Sequence, residues 1–528
     1  FKSPESLDYS TETDPKKKGT YFRSNSQSDK FDGNLTLQYN KVLGVHSLNV
    51  GVGSNLTEST EEGDSYTGVG FVNPNMIFIG AATSFKENSS PDGSYDKSRL
   101  VGFFGNVNYG YDNRYFLDLS FRTDGSSKFG RNSRFAPFWS VGVAWNVHKE
   151  AFWSGDEKSS LKLRASVGST GTTNFSSTQA LTTYNYDFSK IYNGVFGVSL
   201  AGYGNPELKW QNTISYNVGV DMTLLKGLVT FNGDFYIKNT ENLLLPLTVA
   251  PSTGFSSYVE NIGKLRNTGI EGRLRLNLIR DTQRDLRWNV TLSAFHNKSK
   301  ITKLSNQLEE INKYANSDWY NQGTVVYRQY EAGRSQTALM MVRSGGIDPA
   351  TGNEVYIKRN GELTFEYDAN DKVKCGDMKP TIEGNVNTNL TWKGFTLYML
   401  FKYQFGAKAY NGTLASKVEG ANPYKNADKR VLYDRWKEPG DHAKFRRIDD
   451  RTSPYQTTRL VFDNDLFSLS SVSLSYELPR EISQKIYADR VRLMLSTTDV
   501  FRLSTIKQER GTSYPFARTF NLSLNVTF

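Results

Sequence analysis

The chain has 528 residues, 37% of them apolar, with a mean hydropathy of −0.54. No stretch approaches the ~20 continuous apolar residues of a membrane helix, so a helical membrane protein is excluded. Aromatic residues reach 13%, with 30 Tyr and 32 Phe, which excludes wholesale disorder. One cysteine, Cys375, cannot build a disulfide framework, and four histidines are too few to suggest a zinc site. The net charge is +10, but Lys and Arg are scattered among 54 acidic residues, and no basic run exceeds Lys16-Lys17-Lys18. The excess reads as a solvated surface, and no nucleic-acid partner is expected.

From the first residues onward the chain offers Phe1-Lys2-Ser3-Pro4, without an apolar signal core and without an initiating Met. The expectation is a processed or truncated product. The dominant signal after that is alternation with a period of two. Phe31, Gly33, Leu35, Leu37 and Tyr39 form one face, against Asp32, Asn34, Thr36, Gln38 and Asn40. Tyr115–Phe121, Val229–Ile237, Ile270–Leu278, Phe395–Phe405 and Phe520–Phe528 repeat it. Strands are expected at 31–40, 46–55, 99–111, 114–123, 137–147, 160–170, 211–225, 227–239, 267–279, 286–297, 383–393, 394–406, 464–477, 489–498 and 518–528, with ends good to a few residues. One short helical turn is expected over Pro479–Tyr487, opened by a proline whose missing N–H costs nothing there.

These strands run to ten residues or more, where ~5–6 is usual in soluble sheets and ~9–11 are needed for a tilted crossing of a bilayer. Their links alternate. Lys41–Gly44, Asp112-Asn113, Lys226-Gly227 and Lys393-Gly394 are tight, whereas long Gly-, Ser- and Asn-rich stretches lie between the hairpins, the longest at roughly 298–382. Short turns on one side and long loops on the other describe an outer-membrane barrel. The expected fold is therefore all-β: a large antiparallel transmembrane barrel with about fifteen strands in this chain, long extracellular loops and short periplasmic turns. An odd count leaves both end strands running the same way, so the expectation is that earlier strands lie outside this sequence, the alternative being a count off by one. Trp139, Trp145, Trp288 and Trp392, near strand ends, are candidates for an aromatic belt.

At this point several segments resemble one family, the SusC/RagA-type TonB-dependent transporters of Bacteroidetes outer membranes. Gly204-Asn205-Pro206-Glu207-Leu208-Lys209-Trp210-Gln211 resembles its G-N-P-x-L-K-W-E stretch, with Gln211 in place of Glu. Arg122–Gly130 matches R-x-D-G-S-S-x-F-G, and Asn261–Glu271 resembles N-x-G-x-x-x-N-x-G-x-E. Gly376–Thr381 resembles G-D-x-x-P, Asp434-Arg435-Trp436 the loop ending in R-W, and Ser473–Pro479 the late L-x-Y-x-L-P. Tyr514–Phe520 followed by the terminal Phe528 resembles the family's ending. The likeness runs in family order from about residue 70 to the C-terminus; an N-D-P-E-type stretch after Phe501 is absent.

The resemblance implies that residues 1–528 are the C-terminal part of a ~22-strand barrel, with the plug domain and TonB box not in this sequence. It implies active import of oligosaccharides or oligopeptides, a SusD-like surface lipoprotein as lid, energy from the TonB complex acting through the plug, and contact with membrane lipid. A passive porin and a soluble or surface all-β binding protein are the alternatives. No enzyme activity and no cofactor are expected: His46, His148, His296 and His442 lie on separate strand ends or loops. Asp348–Glu354 and Asp368–Asp371 carry oxygen ligands at short spacing, read as turns ahead of a Ca²⁺ site, and Cys375 is read as inert. Glu271, Arg273 and Arg275 read as a lumenal charge ladder, or as contacts to a plug or solute. No catalytic, metal or ligand-binding residue is assigned, because solute contacts in the resembled family spread over loops, lumen, plug and lid. Phe528 is a candidate for recognition by the barrel-assembly machinery.

Overall fold

The computed structural model describes residues 1–87, 91–130, 133–156, 158–172, 180–248, 257–261, 263–304, 312, 322, 329–422, 424, 427–450, 452–506 and 517–528. Fifteen strands follow one another in chain order along one antiparallel ladder. They are β1 Thr20–Leu43, β2 His46–Val69, β3 Asp92–Tyr111, β4 Tyr115–Ser126, β5 Phe135–Asn146, β6 Ser160–Thr172, β7 Gln211–Leu224 and β8 Val229–Glu241. Then come β9 Lys264–Asp281, β10 Leu286–Lys303, β11 Ile382–Trp392, β12 Phe395–Phe405, β13 Leu466–Glu477, β14 Arg490–Ser504 and β15 Phe520–Thr527. Each corresponds to one strand expected from the alternation. The short helix also forms, over Arg480–Ser483 with a further turn at Gln484–Ile486.

The register makes the two-sidedness continuous. Tyr39, Val50, Val107, Leu119, Val141, Val167, Tyr216 and Ile237 stand opposite one another from β1 to β8. Phe231, Leu274, Leu292, Val386, Phe401, Leu469 and Phe501 continue the same face from β8 to β14. One residue away, on the other face, lie Gln38, Asn106, Ser120, Ser140, Ser215, Lys238 and Asn267. A slip of one residue anywhere would turn a strand's apolar side into the polar face, so the pattern itself pins the register. The apolar rows do not pack on a second sheet: Leu35 is 73% exposed, Val218 60% and Leu522 71%. A sandwich would bury them, which removes the soluble alternative.

All the tight links lie at one end. Asp112 and Asn113 both have positive φ, 51° and 52°, as do Lys393 and Gly394, 45° and 83°. That is the primed geometry whose twist matches two paired strands. Tyr111, Tyr115 and Trp145 stack in sequence near this end, with centroids 6.4 and 6.5 Å apart, and Trp288 and Trp392 sit at the same level. Trp139, opposite Phe121, stands several residues higher on the apolar face, beside Phe135 and Phe103. The two levels fit the aromatic girdles of a membrane barrel.

Three departures from the sequence reading have physical causes. The polar stretch after residue 55 is largely strand: β1, β2 and β3 run 24, 24 and 20 residues, with only 70–91 between the last two. Beyond the ~11 residues a bilayer can cover, alternation loses its apolar half, because both faces meet water. Second, β9 carries a bulge at Leu278, so Ile279, not Leu278, pairs with Trp288 on the apolar face. Third, the loop regions contain sheets of their own, described below. The ladder ends in two edges, β1 and β15, which run in the same direction and do not pair with each other.

Candidate functional site

The polar face carries charge where strand alternation places it. Arg164 donates to Asp221 at 2.7 Å and to Asp234 at 3.2 Å, and Asn232 donates to Asp221 at 2.8 Å. Arg122 donates to Asp124 at 2.6 Å and to Asn55 at 2.8 Å. Asn108 donates to Asp118 at 2.6 Å. The expected ladder Glu271, Arg273 and Arg275 lies on this face of β9, exposed, beside Asp234 and Asn232 in register. Polar groups of this density are costly in a dry interior, at ~1–3 kcal/mol for each one unpaired, so this face belongs to water or to a polar occupant.

Above the long-loop end, segments 329–381 and 406–465 fold on each other. Ala338–Met341 pairs with Val373–Asp377, Arg343–Ile347 with Glu354–Ile357, and Lys408–Tyr410 with Val461–Asp463. Ala415, Val418, Phe445 and Leu460 form a small core, with Tyr410 and Leu414 against it. Beside it lies an ion network. The Glu419 side chain is fully buried and accepts from Arg446 Nε at 2.8 Å and from Arg459 at 3.1 Å. Arg459 also reaches Glu354, 2.9 Å away and itself buried, and Thr457 donates to Glu354 at 2.6 Å. Arg435 is buried and donates to the carbonyls of Val431, Val418, Glu419 and Arg446. Burial by itself would raise the Glu419 carboxyl, but Arg459 and Arg446 outweigh it and hold the group below its ordinary range. Burial pushes the Tyr410 and Tyr356 hydroxyls up, so both stay neutral. It brings the Lys372 ammonium down to about 8.

The residues that carried the family resemblance turn out to be clasps between loops. Phe129 stacks on Trp210 at 4.3 Å, Phe138 meets the same indole edge-on at 5.4 Å, and Trp210 donates to the Arg134 carbonyl at 3.1 Å. A Cβ on Gly130 would lie 1.6 Å from the Pro206 carbonyl oxygen, so only glycine fits. Asn261 brackets Lys209, accepting from its N–H at 2.7 Å and donating to its carbonyl at 2.8 Å. Three separated motifs therefore meet at one place over β4 to β9. Asp377 accepts from Thr337 at 2.6 Å and from the Lys379 N–H at 3.0 Å, closing a turn. Ile262 and Tyr514–Phe516 lie outside the described residues.

The remaining candidates are accounted for one by one. Asp348 caps its own turn, accepting from the N–H of Ala350 and of Thr351 and from the Thr351 hydroxyl; Asp368 caps Ala369–Asp371 in the same way. Among the described residues no three His, Cys, Asp or Glu side chains converge. Burial raises the Cys375 thiol, which donates to the Leu339 carbonyl at 3.3 Å. His46 meets Tyr109 at 2.7 Å and His148 meets the Leu161 carbonyl at 3.0 Å, in different places on the ladder. Phe528, just past β15, is 84% exposed. Sequence reasoning missed Glu419, Arg446 and Arg459. Arg435 had been singled out through its R-W pair, and Glu354 only as the end of the Asp348–Glu354 stretch, where it turns instead to Arg459 and Thr457.

Residues 3–414 match the family described as TonB dependent receptor-like, beta-barrel. The chain belongs to this family. It is 28% identical to TonB-dependent receptor P3 of Formosa agariphila, over 93% of this chain and 52% of that protein. It is 25% identical to TonB-dependent receptor SusC of Bacteroides thetaiotaomicron, over 81% of this chain and 44% of that one. The RagAB peptide transporter structure superposes with a TM-score of 0.78 at 22% identity, covering 92% of this chain and 53% of the other, which shows the same fold. The chain thus spans about half the length of the relatives it matches. It is an outer-membrane barrel chain, and its relatives are receptors rather than enzymes. Its apolar face therefore meets lipid and its polar face the lumen.

Proposed function

We propose that the chain forms the C-terminal share of an outer-membrane importer for oligomeric nutrients, oligosaccharides or oligopeptides. A SusD-like surface lipoprotein caps it, and TonB drives it through a plug domain that is not in this sequence. The observation that carries this reading is the unbroken two-faced ladder. Fifteen strands present lipid with one face and leave Arg, Asp, Asn and Lys on the other. Since β1 and β15 run the same way, antiparallel closure takes an odd number of further strands, and seven give the ~22 at which a lumen is wide enough to need a plug. The fold shared with the RagAB peptide transporter supports the peptide side of the substrate class, and the SusC relative supports import in general.

The test is purification from the outer membrane followed by mass spectrometry of partners and bound solute, with solute uptake measured with and without TonB. The expected result is a co-purifying surface lipoprotein, a bound oligomer, and uptake that falls to background without TonB. Uptake unchanged without TonB would leave a passive pore instead.

A further inference from the structure

At the top of β10 the ladder opens. Pairing of β10 with β11 stops at Phe295 opposite Glu383, and Ile301 is next held by Arg334 and Gly333, each through a 2.8 Å backbone hydrogen bond. Between these points, along Asn297 to Lys300, lies a notch of about 260 Å³. Five cations line it: Lys298, Lys300, Arg334, Lys374 and Lys379. The acid lining it, Asp377, is engaged by Thr337 and the Lys379 N–H, and Arg334 is paired with Glu331. Among the described residues the four lysines make no ion pair. Four unanswered ammonium groups around one small space call for an oxyanion.

The depth of the notch says where that anion comes from. β11 and β12 are 11 residues each, the length of a tilted crossing, and Thr381 and Gly406 at their upper ends line the notch. Lys298 and Lys300 share the lipid-facing side of β10 with Leu292 and Ala294, two to four residues beyond the band. That is headgroup level. Directly below, on the lipid face, runs an apolar groove of about 540 Å³ floored by Gly233, Gly272 and Ala294, which stand opposite one another on β8, β9 and β10. Val218, Phe235 and Ile270 wall it, and His296 lines both groove and notch.

We propose that notch and groove together are one lipid site, taking a phosphate-bearing headgroup on Lys298, Lys300, Lys374 and Lys379 and an acyl chain along the glycine floor. The site rests on the apolar face being lipid-facing and is independent of what the barrel imports. Bound there, the lipid seals the place where the barrel wall lacks strand pairing, next to the folded loops.

The test uses the full-length transporter purified from the outer membrane, with heat-modifiable migration as the control for folding. Retained phosphorus-bearing lipid is counted by mass spectrometry, and exchange binding of phosphatidylglycerol is compared with an uncharged glycolipid and with inorganic phosphate. Lys298→Gln with Lys300→Gln should cut phosphatidylglycerol retention roughly 30-fold, at about five-fold for each cation near the surface. Gly272→Val fills the groove at ordinary contact distance, its Cβ 3.5 Å from Phe231, and should also cut retention while leaving folding intact. Inorganic phosphate alone should not compete. If it binds, and is lost in the lysine variant but not in Gly272→Val, the anion is a soluble one and the lipid assignment falls. Equal retention in all variants overturns the site altogether.

Discussion

Replacing Glu419 by alanine should open the loop assembly and leave the barrel intact. The carboxylate is fully enclosed and shared by Arg446 and Arg459, whose side chains are 7% and 10% exposed. Arg459 keeps Glu354, and Arg446 keeps Asp450 at 2.6 Å, but Glu419 is the anion between them. Its loss sets two buried guanidinium groups against each other without their common counter-charge. Breaking a buried pair by removing one partner costs about 3–5 kcal/mol. At 1.36 kcal/mol per decade, that raises the open population by roughly 150- to 5,000-fold. None of these residues belongs to β1–β15, so strand pairing is untouched. The assay is limited proteolysis of the protein in detergent, where cleavage tracks the open population if closing is fast. Cleavage within 406–465 should accelerate by at least two orders of magnitude, with heat-modifiable migration unchanged. The pH dependence has a definite sign. Glu419 lies below its ordinary 4.5 in the folded state, so its contribution is complete above that value and is lost as pH falls through the lower folded one. The wild-type loops should therefore resist protease down to about pH 4.5 and loosen only below it. Acceleration of less than five-fold in the variant, or loss of barrel migration with it, would refute the view that these ions hold the loops as a separate unit.

Other perturbations check the ladder itself. Val218→Arg should cost ~2–4 kcal/mol near the bilayer midplane and lower folding yield, whereas Asn217→Arg, one residue away on the lumen side, should fold normally; urea titration in detergent compares them. Gly394→Val forces φ of 83° on a branched residue, with its Cβ 2.8 Å from the Glu477 carbonyl oxygen, and should destabilise the β11–β12 hairpin by ~1–3 kcal/mol, read as a lower urea midpoint. Deleting Phe528 should lower outer-membrane yield, measured by immunoblot of membrane fractions; unchanged yield removes the assembly role.

The ladder was legible because a bilayer imposes one rule on every crossing residue. Outward side chains must be apolar, inward ones need not be, and the period is two. Val141 and Ser140 declare their faces without reference to any partner. Where the rule lapses, legibility lapses too. The upper halves of β1 and β2, such as Ser24–Ser28 against Glu61–Ser65, are paired strand with no apolar side, and their composition reads as loop. The loop assembly was invisible for a different reason. Glu354 and Arg459 are 105 positions apart, and Glu419 and Arg446 are 27 apart. Nothing local distinguishes a buried Glu–Arg pair from the many solvated ones.

Two kinds of stability thus share one chain. The crossing strands are held by backbone bonds that lipid cannot replace, so they cannot open in parts. The loops above are held by side-chain ions, Trp–Phe stacking and a core of four buried residues, Ala415, Val418, Phe445 and Leu460. Contacts of that second kind can be remade one cluster at a time without disturbing the wall beneath. The local stability of a fold sets which parts can open separately. The ion network around Glu419 ties the described parts of segments 329–381 and 406–465 into one packed unit. At the gap between Phe295 and Ile301 on β10 this unit meets the wall without ladder hydrogen bonds to β11.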